Sequence, residues 1–211
     1  YMRRRGRRPG LMLAFGLGAI GAAIAGTAGQ LRWFPLYIVG MVFFGGAQAG
    51  TLQGRYIAAD LAAEHARAKA IAAIVWVGTL GAVFGPVLTP YEKRLGEAIG
   101  LDEFVGPFFF ASLLLVASLA IVSARLRPDP LAVNGQLDPQ AERVRPLHQV
   151  RASVRVIASS HLAPLGLAAM VVSQTAMVAV MTMTPPHMKD HDHGDLSAYV
   201  IALHIFGMYG F

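Results

Sequence analysis

The chain has 211 residues, of which 55% are apolar and 14% are charged, and its mean hydropathy is +0.52. Soluble domains usually carry about 25% charged residues, so this composition excludes an ordinary soluble enzyme and predicts an all-α protein that crosses the membrane several times. The chain has no cysteine, which excludes disulfides and thiolate metal ligands.

Six apolar stretches are predicted to be membrane helices, because about 18–20 apolar residues can cross a bilayer. In chain order they are Leu11–Gly29, Phe34–Arg55, Ala70–Leu88, Phe104–Ser123, Leu162–Thr184 and Leu196–Phe211. The last stretch is still apolar at the final residue, so we expect the chain to be a piece of a longer protein.

Lys and Arg are distributed unequally among the segments that connect these stretches. One alternate set (Tyr1–Gly10, Leu61–Lys69 and Arg125–Ser160) holds 13 of the 18 Lys and Arg residues, and the other set holds 4. By the positive-inside rule, the first set is predicted to be cytoplasmic. The net charge of +6 is therefore a sign of membrane orientation, and we expect no nucleic-acid partner.

The longest polar segment, residues 125–160, contains four prolines and has the composition of a linker. It divides the chain into three predicted parts: residues 1–124 with four membrane helices, a cytoplasmic linker at 125–160, and residues 161–211 with two more helices. Within the linker, Ala141–Arg155 is predicted to form a short basic helix suited to an anionic membrane surface.

The first apolar stretch contains the pattern G-x-G-x-x-G at Gly16–Gly21. That pattern binds dinucleotides only between a strand and a helix, and no strand precedes it here, so no cofactor is predicted. Ala14, Gly18, Ala22 and Gly26 instead recur every four residues, which predicts a seam where two helix backbones approach closely.

Arg4, Gly6, Arg7 and Arg8 precede this stretch. A plain positive-inside anchor would account for their charge. Their order also resembles the loop between the second and third helices of the major facilitator superfamily, whose pattern is Gly-x-x-x-Asp-Arg-x-Gly-Arg-Arg, with Arg3 at the position of the Asp. The resemblance implies that these residues form a cytoplasmic gating loop.

The resemblance extends over the whole chain. It implies a partial major-facilitator-type bundle of about six transmembrane helices, helices three to eight of a twelve-helix transporter, with residues 125–160 joining the two halves. It further implies alternating access, the lipid bilayer and a small-molecule substrate as partners, and protons or another coupling ion. No ATP-binding loop of the G-x-x-x-x-G-K-[ST] type is present. We expect a multi-pass protein in a bacterial plasma membrane.

The third stretch has Gly78, Gly81 and Gly85 on one helix face, followed by Pro86. This spacing predicts a second close-packing seam, and the proline predicts a bend. The pattern Gly81-x-x-x-Gly85-Pro86 resembles that of the fifth helix of antiporters in the superfamily, which implies a pivot that also seals a leak path. Packing alone is the alternative.

Polar side chains inside the stretches are candidates for the transport pathway. Gln48, Thr51 and Arg55 recur at i, i+3 and i+7 on one face of the second stretch, which resembles the fourth helix of the superfamily, where an Arg takes part in proton coupling. The alternative is that Arg55 only extends to the interface. Gln174 in the fifth stretch and His204 in the last are the further candidates, the latter as a proton carrier or a buried neutral histidine.

Three histidines and three aspartates crowd the segment Pro185–Asp195, and these residue types could bind zinc. The segment lacks the H-E-x-x-H helix pattern, so a solvated loop is preferred and no metal is predicted.

The sequence predicts a proton-coupled exporter of small apolar compounds and no enzymatic activity. The alternatives are ion-coupled uptake of a sugar or metabolite, a membrane-embedded metal-dependent enzyme, and a receptor or scaffold that does not transport.

Overall fold

A computed structural model describes residues 2–102, 104–133, 135, 137–138, 146–160 and 162–209. These residues form nine helices and two 3₁₀ turns and contain no strand. In chain order the helices are α1 (Met2–Arg5), α2 (Arg7–Gln30), α3 (Phe34–Leu61), α4 (Arg67–Ala98), α5 (Gly106–Arg125), α6 (Pro130–Val133), α7 (Pro146–Ser159), α8 (Ala163–Asp190) and α9 (Ser197–Tyr209).

Five of the six predicted membrane helices are confirmed as helical segments long and apolar enough to cross a bilayer. They are Arg7–Gln30, Phe34–Leu61, Glu64–Ala98, Gly106–Val133 and Ala163–Asp190. The sixth, α9, is apolar but has 13 residues. Helices are the expected form because lipid offers no hydrogen-bond partners, so every backbone N–H and C=O must be bonded within the protein.

Three helices continue six or more residues beyond their predicted ends. α3 ends at Leu61, α4 passes through Pro86 and Pro90 and ends at Ala98, and α8 ends at Asp190. The ends predicted at Arg55, Leu88 and Thr184 were therefore wrong. Apolar content marks only the part of a helix that lies in hydrocarbon, and the 32 residues of α4 measure about 48 Å against a hydrocarbon core of about 30 Å.

The predicted seam of small residues on α2 is confirmed, and its main partner is α3. A Cβ built on Gly50 of α3 would lie 2.8 Å from the Cβ of Ala14, and one built on Gly18 would collide with Ala47. Farther along α2, the contact is with α5: a Cβ built on Gly26 would lie 3.2 Å from the ring of Phe109. α2 is thus packed closely between α3 and α5, and it holds most of the buried alanines.

The four long helices α2 to α5 run in alternating directions. The start of α2 is joined to the end of α3, because Arg7 forms an ion pair with Asp60. At the opposite end, the Gln30 side chain accepts a hydrogen bond from the backbone N–H of Asp102 at 3.0 Å, and Arg32 lies 3.5 Å from the Asp102 carboxylate. The end of the bundle at Arg7 and Asp60 holds the connecting segments rich in Lys and Arg, and the end at Gln30 and Asp102 holds the other set.

Helices from the two sides of residues 125–160 are in contact. α4 packs against α3 and α5 and also against α9, while α8 packs against α9. Within the segment, α6 contacts α2 and α3. The basic helix expected over Ala141–Arg155 is found as α7, which begins at Pro146 and ends at Ser159; residues 139–145 lie outside the described residues. The division into 1–124, 125–160 and 161–211 stays a prediction.

Candidate functional site

A cluster of charged and polar side chains lies where α2 begins. The Arg7 guanidinium is 3.0 Å from Oδ2 of Asp60, and its Nη1 donates to the side-chain oxygen of Gln53 at 3.1 Å. The side chains of Arg7 and Asp60 are 19% and 18% exposed. An ion pair that is largely shielded from solvent, with an amide completing the hydrogen bonds, is held more firmly than an exposed pair.

Asp129, which follows α5, caps the first turn of α2. Its Oδ1 accepts from the backbone N–H of Arg7 at 3.1 Å and its Oδ2 from that of Arg8 at 2.8 Å. The first N–H groups of a helix have no partner within the helix. Asp129 therefore satisfies two of them and places a negative charge at the positive end of the α2 dipole.

Gly6 makes this cap sterically feasible. Its φ is +101°, in a region that glycine enters without strain. A Cβ built on Gly6 would collide with the carboxylate of Asp129. A glycine is therefore needed here for two separate reasons, the backbone angle and the space taken by the cap.

Arg8 connects α2 to the end of α5. Its Nη2 donates to the carbonyl oxygen of Ser123 at 2.7 Å, whereas its Nε is buried without a hydrogen-bond partner among the described residues. Together, Arg7, Arg8 and Asp129 fasten α2 to α3 and to the segment after α5. Arg4 is half-buried in α1.

The residues of the predicted gating loop thus have two acidic partners, Asp60 and Asp129, that were not predicted from the sequence. Asp60 pairs with Arg7 and not with Arg55, which lies five residues before it on the same helix. Its true partner, Arg7, is 53 positions away, and Asp129 is 122 positions from Arg7. The one available signal was an aspartate between two prolines directly after a membrane helix, at residues 128–130.

The polar face of α3 is only partly exposed. Gln48 and Thr51 are exposed, and the Thr51 hydroxyl donates to the carbonyl oxygen of Ala47 in its own helix at 3.1 Å. Arg55 is half-buried and forms neither a hydrogen bond nor an ion pair within the described part of the chain. A guanidinium without a partner at this depth is available to a ligand or to another charge.

The remaining pathway candidates lie on other helices. Gln174 is exposed on α8 and His204 is exposed on α9. No hydrogen bond between described residues connects either side chain to the polar face of α3. Their roles in transport stay predictions.

The glycines of α4 do not form the predicted seam with any helix in the described residues. A Cβ built on Gly78, Gly81 or Gly85 would have no atom within 4 Å. Pro86, the next residue, is half-buried inside the helix. Glycine spacing shows that a helix face can be approached closely, but it does not identify the helix that approaches. The close contacts occur on α2 instead, and the pivot role of this face stays a prediction.

Two of the histidines in the segment Pro185–Asp195, one in the last turn of α8 and one directly after it, lie close together. The rings of His187 and His191 lie edge to face, with centroids 4.6 Å apart. Among the described residues, no group of three or more His, Asp or Glu side chains is arranged to hold a metal ion.

A bundle of apolar helices, long enough to cross a bilayer and packed closely at small residues, defines a polytopic membrane protein. The sequence profile of the Major Facilitator Superfamily matches residues 1–211. The chain belongs to this family, and its apolar helices make it part of a multi-pass membrane protein.

Three relatives bear out the family. The chain is 38% identical over 212 residues to the uncharacterized MFS-type transporter YddS and 35% identical over 208 residues to the uncharacterized MFS-type transporter YdeG, both of Bacillus subtilis (strain 168); each match covers 98% of the chain and 48% of the relative. It is 28% identical over 211 residues to the riboflavin transporter RfnT of Brucella anthropi, covering 99% of the chain and 50% of the relative. The chain thus spans about half the length of these relatives. No solved structure matches it.

Proposed function

We propose that the full-length protein, in a bacterial plasma membrane, exports small, largely apolar compounds in exchange for protons. The observation that carries this proposal is the scarcity of charge inside the membrane stretches. Within the six predicted apolar stretches, the only Lys, Arg, His, Asp or Glu side chains are those of Arg55 and His204. A site with so few fixed charges suits a ligand that is held mainly by apolar contact.

The helix α8 supplies a surface of the required kind. Met170, Met177 and Met181 lie on one side of it, and Gln174 adds a single hydrogen-bonding group nearby. Methionine is flexible and polarizable, so it adapts to apolar ligands of different shapes. Sugars and organic anions would instead require several hydrogen-bonding or cationic groups at the same depth.

Proton coupling is assigned to His204 and Arg55. Histidine changes its charge near neutral pH, which suits a group that takes up and releases a proton in each cycle. Arg55 has no partner among the described residues and is permanently charged, so it favours the neutral state of any basic group nearby and the binding of an anion. The antiporter-like pattern at Gly81–Pro86 supports exchange over symport.

A second candidate is ion-coupled uptake of a sugar or metabolite. It is supported by the relative named as a riboflavin transporter. Riboflavin is therefore included among the test compounds.

The test uses the full-length protein in proteoliposomes with an imposed pH gradient and a pH-sensitive dye inside. Lipophilic cations should dissipate the pH gradient, because each cation is exchanged for protons that move in the opposite direction across the membrane. H204Q should abolish this coupled proton flux. H65Q is the matched control, because His65 is exposed in the turn before α4. If the lipophilic cations leave the gradient unchanged while riboflavin or a sugar moves with protons, the exporter proposal is wrong and uptake replaces it.

A further inference from the structure

The helix α7 presents an apolar stripe that the described bundle leaves uncovered. Val150, Val154 and Ile157 follow each other at i, i+4 and i+7, which places them on one side of the helix. Val150 is 61% exposed and Val154 is 58% exposed. The main packing partner of α7 is α8. An amphipathic helix of 14 residues is only marginally stable in water by itself, so its apolar side calls for a further partner.

The charge beside this stripe is entirely positive. His148, Arg151 and Arg155 recur at i, i+3 and i+7 and form a strip adjacent to the valines, and the sequence of α7 contains no Asp or Glu. Arg151 and Arg155 are exposed and make no ion pair with any described residue. This surface therefore combines apolar side chains with guanidinium groups that have no partner among the described residues. Such a surface is complementary to a membrane in which anionic lipid headgroups lie over acyl chains.

The connection to α8 fixes where this surface lies. Ser160 follows α7 directly; its N–H donates to the carbonyl oxygen of Ile157 at 3.1 Å, and its hydroxyl accepts from the N–H of Ala163 at 3.4 Å. α8 begins at Ala163 and is long and apolar enough to cross the bilayer. Three intervening residues span at most about 14 Å, so α7 must end close to the membrane surface on the predicted cytoplasmic side.

From these three observations we infer that α7 lies on the cytoplasmic surface of the membrane, with its valines in the boundary between headgroups and acyl chains and its arginines on anionic lipid headgroups. This inference goes beyond the transport function. Because each arginine near an anionic surface strengthens binding about fivefold, removing both should lower the ratio of bound to free helix about 30-fold.

The depth of the helix can be measured with environment-sensitive fluorophores on single cysteines in the full-length protein. Probes at V150C and V154C should be quenched by a lipid-soluble quencher in vesicles that contain phosphatidylglycerol. A probe at A152C, about 160° around the helix from each valine, should be quenched by aqueous iodide instead. If both valine probes are shielded from both quenchers, α7 packs on protein and the inference is wrong.

Charge variants separate lipid binding from simple proximity to the membrane. R151Q/R155Q should lose lipid quenching of the Val150 probe, whereas R151K/R155K should keep it because the charge is retained. R67Q/K69Q is the matched control, since these exposed residues start α4 on the same predicted side, and it should leave quenching unchanged. Equal quenching in phosphatidylcholine and phosphatidylglycerol vesicles would overturn the role of anionic lipid.

Discussion

Removing the carboxylate of Asp129 should destabilise the bundle more than its half-buried position would suggest. In D129A, the first turn of α2 loses the acceptors of two backbone N–H groups, those of Arg7 and Arg8. The turn after α5 also loses the bond from the N–H of Leu131, at 3.0 Å. Loss of an N-cap costs about 0.5–2 kcal/mol, and hydrogen bonds to a charged group contribute about 1.5–3 kcal/mol each.

Water can reach part of this site and replace some of the lost bonds. We therefore expect the free energy of unfolding of D129A to fall by about 2–3 kcal/mol. D129N keeps one carbonyl oxygen but loses the charge at the dipole, so it should lose about 1 kcal/mol. The measurement is equilibrium unfolding of the full-length protein in mixed micelles with increasing SDS.

The matched control lies at the other end of the bundle. D102A removes a carboxylate whose only partner among the described residues is the exposed Arg32 at 3.5 Å, and it leaves the backbone bond to Gln30 intact. Exposed ion pairs contribute about 0–1 kcal/mol, so D102A should lie in that range. If D129A is no less stable than D102A, Asp129 does not hold the start of α2 in the membrane.

Three further outcomes are expected. G21A should lower the stability of the full-length protein by about 1–3 kcal/mol, since a Cβ there would meet the backbone of α3. In the control G81A, the new Cβ meets no atom within 4 Å, so stability should stay unchanged or rise slightly. Equal losses of stability in the two variants would contradict the packing described. R55Q should reduce coupled transport at least tenfold while R55K retains more of it, with thermal stability as the check that both variants fold; wild-type transport by R55Q would remove Arg55 from the pathway. In intact cells, an impermeant maleimide should label D192C and not R127C; the reverse pattern would overturn the orientation.

Much of the bundle could be predicted because its determinants are local. Apolar length locates each membrane helix, and the alternation of Lys and Arg gives the up-and-down order that the Arg7–Asp60 and Gln30–Asp102 contacts bear out. The seam on α2 was predictable for the same reason, because small residues every four positions mark a helix face that another backbone can approach.

The partners of these groups could not be predicted in the same way. The order of residues around Arg7 indicated a functional loop, but Asp129 lies 122 positions away and charge alone does not select it. On α4 the glycine spacing predicted a face for close packing, and no described helix approaches these glycines closely. The ends of α4 and α8 were misplaced because hydrogen bonding continues past the apolar residues into the polar region.

Alternating access is the central claim of the proposed transport function, and distances between residues on the two sides of the segment 125–160 test it most directly. Spin labels on E64C and L162C report the predicted cytoplasmic end, and labels on E97C and D192C report the opposite end; all four residues are exposed. Double electron–electron resonance on the full-length protein should give two distances for each pair, with the cytoplasmic pair long when the opposite pair is short, and a change of pH should shift the two populations in opposite directions. A single unchanging distance for both pairs, or populations that shift in the same direction, would contradict alternating access.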